Sequence, residues 1–290
     1  MLFDEINEFS LNMLSHYGDN CGRRRCNHPS GECSGCCQIC LDQVHWGPTR
    51  SERVDYDCPK LIYRYVNDFL ERYEDNILTL LSDIDLRRYP CFNVLSIGCG
   101  AAPDLMALEH VRKRKPVFYK GYDRNPLWED IHNCIEEYAN ASSWLDADLY
   151  QEDIFEVFDE GMPKDEEYNV VVIQYLISHL YNTDQIDDIN LLYQGIINLL
   201  SYNRLDNSPF LIIINDIDSC NKGRDKFHIL LNMLERAGYN GRATAYSKHK
   251  TGDLGERRWN AYGTRRGQID YTYIATPDTM EGAALVIELE

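Results

Sequence analysis

No stretch of this sequence approaches the roughly 18 consecutive apolar residues of a membrane span. The first twenty residues also lack the basic start and unbroken apolar run of a secretory signal. Instead, Leu2, Phe3, Ile6, Phe9, Met13 and Leu14 recur at roughly helical spacing with acids between them. Both absences lead us to expect a soluble, cytoplasmic protein with no membrane partner. Positive charge is scarce as well. Against 47 Asp and Glu stand 29 Lys and Arg, a net charge of −18. So acidic a molecule repels nucleic acid and anionic membranes as a whole, and DNA is not an expected partner.

The shortage is uneven. Between Asp123 and Tyr168 there are fifteen acids and two bases, Arg124 and Lys164. Between Gly241 and Gly267 the balance reverses, with Arg242, Lys248, Lys250, Arg257, Arg258, Arg265 and Arg266 against Asp253 and Glu256. A solvated hairpin whose arginines pair with surface acids is one reading of this basic island. Because Trp259 and Tyr262 lie within it, a surface for RNA or a peptide is the other.

Cysteine is abundant. Seven of eleven fall between Cys21 and Cys58, a density that in a reducing compartment points to metal rather than disulfides. Two CxxC pairs abut, Cys33-Ser-Gly-Cys36 and Cys37-Gln-Ile-Cys40, flanked by His28 and His45. Tetrahedral zinc needs four thiolate or imidazole ligands, often in close pairs. Adjacent Cys36 and Cys37 point in different directions, so one of them serves a given ion. The preferred zinc set is Cys26, Cys33, Cys37 and Cys40, with Cys36, Cys21, Cys58, His28 and His45 as substitutes. A disulfide knot or free thiols is the bland alternative, and an iron–sulfur site on Cys33, Cys37 and Cys40 a further one.

Cys58-Pro59 then opens a long helix, with Leu61, Ile62, Tyr65, Val66, Phe69, Leu70, Tyr73, Ile77, Leu80 and Leu81 at three- and four-residue steps. Its aromatic stripe reads as core, and Pro90 ends the segment. The expected organisation is a cysteine module over 1–58, a connecting helix over 59–90 and an α/β domain over 91–290, ample in apolar content for a core.

That domain is organised around residues 93–123. Strand Val94–Ile97 runs into the loop Gly98-Cys-Gly-Ala-Ala102, and Pro103 opens a helix burying Leu105, Met106, Leu108 and Val111. A second strand, Val117–Tyr122, ends on Asp123. Two glycines permit a tight turn close to a ligand, and an acid ending the next strand is placed to hold a ribose diol. Pro103 stands where GxGxxG has its last glycine, which disfavours a pyrophosphate needing the helix N–H groups. Further along, Asn125 caps a helix over 126–138, and strands are expected near 149–154, at 168–175 and at 210–216. Helices are expected over 183–200 and 224–237, followed by strands at 242–247, 271–275 and 284–288. Alternation of this kind gives an open, doubly wound, mostly parallel sheet with its crevice beyond the strands' carboxyl ends.

From Asn93 onward the chain resembles the class I S-adenosylmethionine-dependent methyltransferases. Leu95-Ser-Ile-Gly-Cys-Gly-Ala-Ala102, Gly121-Tyr-Asp123, Glu152-Asp-Ile154 and the apolar strand ending at Gln174-Tyr175 carry the likeness. The resemblance implies S-adenosylmethionine as cofactor, cradled by Ile97, Gly98, Cys99 and Gly100. Asp123 would take the ribose hydroxyls, with Arg124 beside it. Asp153 would accept from the adenine amine, Ile154 would present its backbone, and Gln174 would face the methyl group. The family often has an acid where Ser96 stands and a third glycine where Ala102 stands. Asp104 is the acid available to hold the methionine amine instead.

In-line methyl transfer draws mainly on alignment, and a base is needed only when the acceptor must lose a proton early. Gln174, Tyr175 and His179 are the catalytic candidates, with Asp216 a further possible base. No Asp/Asn-Pro-Pro-Tyr/Phe segment follows the fourth strand, which counts against base-amine methylation of DNA. The expected function is methyl transfer to an RNA or protein acceptor. A zinc-centred interaction protein that keeps a non-catalytic methyltransferase fold is the alternative.

Overall fold

The computed structural model describes residues 1–17, 40, 41, 56, 58–219, 222–248, 268–278, 280 and 282–290. Its strands are β1 (Phe92–Ile97), β2 (Val117–Tyr122), β3 (Leu145–Tyr150), β4 (Val170–Gln174), β5 (Phe210–Asp216), β6 (Gly241–Ser247), β7 (Ile269–Ala275) and β8 (Ala283–Leu289). They form one sheet in the order β3-β2-β1-β4-β5-β8-β6-β7. Every neighbouring pair is parallel except those made by β8, which runs antiparallel to both β5 and β6.

The helices are α1 (Leu2–Tyr17), α2 (Pro59–Ser82), α3 (Pro103–Val111), α4 (Glu129–Ala141), α5 (Ile154–Glu160), α6 (Leu176–Asn182), α7 (Asp188–Tyr202) and α8 (Gly223–Arg236). Strands buried on both faces read as continuous apolar runs. In β5, Leu211 and Ile213 pack with α1 to α4, whereas Phe210, Ile212 and Ile214 pack against α6 to α8. The fold is thus a mostly parallel α/β sheet covered on both faces. Among the described residues, no helix is long and apolar enough to cross a membrane.

Helix α2 begins at Pro59, preceded by Cys58 in extended conformation, and buries Leu61, Ile62, Val66, Leu70, Tyr73, Ile77, Leu80 and Leu81 along one stripe. It stops at Ser82, where the Asp83 N–H bonds back to Leu80 O, well before Pro90. A single 3₁₀ turn, Leu86–Arg88, fills the interval.

Three element expectations change. The third strand is Leu145–Tyr150 rather than 149–154: Leu145, Ala147 and Leu149 point inward while Asp146 and Asp148 face solvent, as suits an edge strand. Asp153 instead caps α5, accepting from Phe155 N at 3.0 Å. The helix expected over 183–200 is α7, which starts later, at Asp188, and it is preceded by an additional short helix, α6, that starts directly after Tyr175. Strands β6 and β7 are parallel, whereas a hairpin joins antiparallel neighbours, so these two strands are not the arms of one hairpin. Most of the island, 249–267, lies outside the described residues, but Arg242 does pair with an acid, its Nε donating to Glu288 Oε1 at 2.6 Å.

Candidate active site

The chain turns from β1 into α3 through three left-handed residues, Gly98 (φ 66°), Gly100 (φ 50°) and Ala102 (φ 54°). Glycine adopts this region without strain, and at Gly100 it is the positive φ that calls for it, since a Cβ there would meet the Trp128 ring at an ordinary 3.4 Å. The Gly100 N–H donates to Asp123 Oδ2 at 3.0 Å, and the Asn125 N–H donates to Oδ1 at 3.0 Å. Both oxygens are thereby oriented at the mouth of the loop. A carboxylate accepts at about four positions, so it can hold these donors and a diol together.

Beneath the loop, Pro103 removes one N–H from the start of α3, and Asp104 places a carboxyl in the first turn. Asp104 is 1% exposed. The Tyr119 hydroxyl donates to its Oδ1 at 3.1 Å, while Oδ2 has no partner among the described residues. Burial pushes this carboxyl up to about 6, with the Ser96 and Tyr119 hydroxyls pulling the other way. Ser96 lines the cavity, so Asp104 stands behind it rather than in it.

The cavity lies between the loop and α2, lined by Tyr65, Leu70 and Tyr73 from the helix and by Ser96, Gly98, Cys99, Gly100, Pro103 and Gln174 among others. Its volume is about 30 Å³, room for a water or two. An aromatic row spans the mouth. Tyr65 packs on Phe69 (5.4 Å between centroids), Phe69 on Tyr73 (5.6 Å), and Tyr73 on Tyr175 (4.2 Å). The stripe read as core in the sequence therefore forms a wall of the cavity, and it is the largest omission of the sequence reading. Gln174 Nε2 donates to Tyr73 O at 3.2 Å and Asn76 Nδ2 to Tyr175 Oη at 3.1 Å, so the carboxyl end of β4 is tied to α2.

Tyr175 sits at φ 53°, a left-handed conformation that costs a side-chain-bearing residue about 1–2 kcal/mol. Its N–H donates to Asn215 O at 2.8 Å. His179 lies half-buried on α6. Asp216 is fully buried and accepts from Ser178 N at 3.0 Å and Ile217 N at 2.7 Å, fastening the start of α6. Burial raises its carboxyl to about 6, yet these bonds give it a structural task apart from proton transfer.

On the far rim, Arg124 reaches Asp153 Oδ2 (3.8 Å) and Gln185 Oε1 (3.4 Å). Ile97 and Ile154 are buried in the core on the α6–α8 face, so any contact they make with a ligand is through their backbone. Of the proposed metal ligands, Cys26, Cys33 and Cys37 lie outside the described residues, as do Cys21, Cys36, His28 and His45. Cys40 packs beside Leu41, Cys58 and Leu61. No metal-ligand cluster occurs among the described residues.

No protein-family model and no curated protein sequence matches the chain. Solved structures do overlap it. The plantazolicin methyltransferase BpumL, in complex with S-adenosylhomocysteine, is 14% identical with a TM-score of 0.42, covering 100% of this chain and 99% of that one. A SAM-dependent methyltransferase from Aquifex aeolicus is 12% identical with a TM-score of 0.41, over 81% of this chain and 98% of its own. One from Leishmania major is 9% identical with a TM-score of 0.45, over 88% and 82%.

Proposed function

We propose that the protein is an S-adenosylmethionine-dependent methyltransferase whose cofactor lies over Gly98–Gly100. The charge around the loop is the observation that carries this reading. Acids stand on both sides of it, Asp123 at the mouth and Asp104 beneath, and Pro103 closes the helix terminus that a pyrophosphate would use. Such a site repels a dinucleotide and suits a nucleoside with a cationic tail. Asp104 would favour an ammonium through the Ser96 hydroxyl that lines the cavity in front of it.

When bound, the cofactor supplies an electrophilic methyl group on a sulfonium sulfur. Asp123 would accept from the ribose diol, and Asp153 would accept from the adenine amine beside the Ile154 backbone. Arg124, which pairs with Asp153, would border the adenine end of the site. Gln174 and Tyr175 border the acceptor, with His179 behind them. A ligand of this size needs several hundred Å³, so the Tyr65 and Tyr73 side chains that line the cavity must turn aside before it enters.

We place the acceptor among macromolecules, protein or RNA, because a cysteine module and a basic island exceed what a small metabolite requires. Transfer of labelled methyl groups only to small molecules would refute this. A second reading, an interaction protein retaining the fold without turnover, draws on the aromatic row that fills the cleft. Thermal shift separates the readings. S-adenosylmethionine and S-adenosylhomocysteine should raise Tm while NAD does not; a response to NAD alone refutes the assignment, and no response favours the second reading.

A further inference from the structure

One buried imidazole stands behind the glycine loop. His132 is on α4, 1% exposed, on the face that carries Ile131, Ile135 and Ala139. Its Nε2 lies 2.8 Å from Gly100 O, and its Nδ1 lies 2.7 Å from Gln151 Nε2. Cys99 Sγ is 3.8 Å from the same Nε2.

The protonation state follows from the partners. A carbonyl oxygen only accepts, so Nε2 must carry the proton. Nδ1 is then the acceptor for the Gln151 amide, and the neutral Nε2–H tautomer alone satisfies both contacts. Burial acts in the same direction, lowering the imidazole to about 4.

What these partners connect gives the histidine more than a packing role. Gly100, whose carbonyl His132 holds, is the residue whose N–H aims the Asp123 carboxylate. Gln151 follows β3 and stands two residues before Asp153, the cap of α5. The imidazole thus bridges the loop after β1 to the loop after β3, passing behind β2, which lies between them.

We propose that His132 is a positioning residue of the nucleoside site. By holding the Gly100 carbonyl it fixes the direction of Asp123, and by holding Gln151 it sets the span between the ribose-binding and adenine-binding ends of the cleft. It touches no ligand itself. This role rests on the cofactor reading given above.

Calorimetry with S-adenosylhomocysteine tests it on the full chain. His132→Ala should weaken binding about tenfold, the worth of one satisfied buried hydrogen bond, and His132→Gln, whose amide N–H can reach the Gly100 carbonyl, should recover most of the loss. In an Asp123→Ala background the same His132→Ala change should cost less than about twofold, because the two act through one another. Gln151 is exposed, so Gln151→Ala leaves the fold intact and should weaken binding about threefold even where His132→Ala fails to fold. Nitrogen NMR of the histidine rings at pH 7 should show the Nε2–H tautomer. Normal wild-type binding with an equal cost in both Asp123 backgrounds, or an Nδ1–H or charged ring, overturns the positioning role alone. Failure of the wild-type protein to bind overturns the cofactor reading, and this role with it.

Discussion

Asp104→Asn probes the buried carboxyl beneath the glycine loop by its pH dependence. Burial raises this carboxyl from its ordinary 3.8 to about 6, a difference of about 3 kcal/mol between its two protonation states. The native protein therefore holds the proton more tightly than the unfolded chain. Below about pH 4 both states are protonated and the group contributes nothing. Through the window from 3.8 to about 6 stability falls as pH rises, and above it the full penalty applies. Asn cannot ionise, so the variant escapes that penalty. Asp216 and Glu74, raised to about 6 and about 7 by burial, have slopes of the same sign, and His132 has the opposite one. Both proteins share them, and the difference between variant and wild type isolates position 104. That difference should move in the variant's favour by about 2 kcal/mol between pH 4.5 and 8, or about 4 °C in Tm at about 2 °C per kcal/mol for a domain of this size. The new amide N–H, set where Oδ2 has no partner, costs about 1–3 kcal/mol at every pH and displaces the curve without tilting it. Calorimetric unfolding across the range supplies the test, and parallel curves would refute the reasoning. At pH 8 the same variant should bind S-adenosylhomocysteine more weakly, so stability and affinity move in opposite directions.

Asp123→Ala should weaken S-adenosylhomocysteine by about 2–3 kcal/mol in calorimetry through lost charge-assisted hydrogen bonds, and unchanged affinity would remove this residue from the site. Tyr73→Ala breaks the stack on Tyr175 and opens the cavity it lines, so S-adenosylhomocysteine should associate faster in stopped flow; an unchanged association rate would mean the Tyr73 ring does not gate the cleft. If the cysteine segment holds structural zinc, elemental analysis should find about one zinc per chain, falling in a Cys37→Ser, Cys40→Ser double variant. Metal-free protein of full thermal stability would rule that site out.

The parts of the fold legible in the sequence are those fixed by neighbours along the chain. The limits of β2 and β5 match their expected spans residue for residue: β2 is marked off by Pro116 and Asp123, and β5 is an apolar run that follows Pro209 and ends on an acid. Gly98, Gly100 and Pro103 likewise mark the loop by their own backbone requirements. Contacts between distant segments were not legible. Periodicity shows that Tyr65 and Tyr73 share a stripe, but not that the stripe faces the glycine loop. His132 looks like a polar interruption on an apolar helix face until Gly100 and Gln151 are seen on either side of it. Asp216 resembles a free base at a strand end, and its bond to Ser178 N depends on α6 starting at once after a left-handed Tyr175, which no local pattern announces.

The place of β8 bears on how the protein can assemble. It follows β6 and β7 in the chain yet lies between them and β5, pairing Leu289 with Phe210 on one side and with Gly241 on the other. During synthesis, β1 to β5 can emerge and pair with the glycine loop already formed, while β6 and β7, among the described strands, have no sheet partner but each other until β8 is made. Their docking waits for β8 to leave the ribosome and slot between two waiting edges. Such non-local closure is slow, and until it happens β5 and β6 each present an open strand edge to other chains.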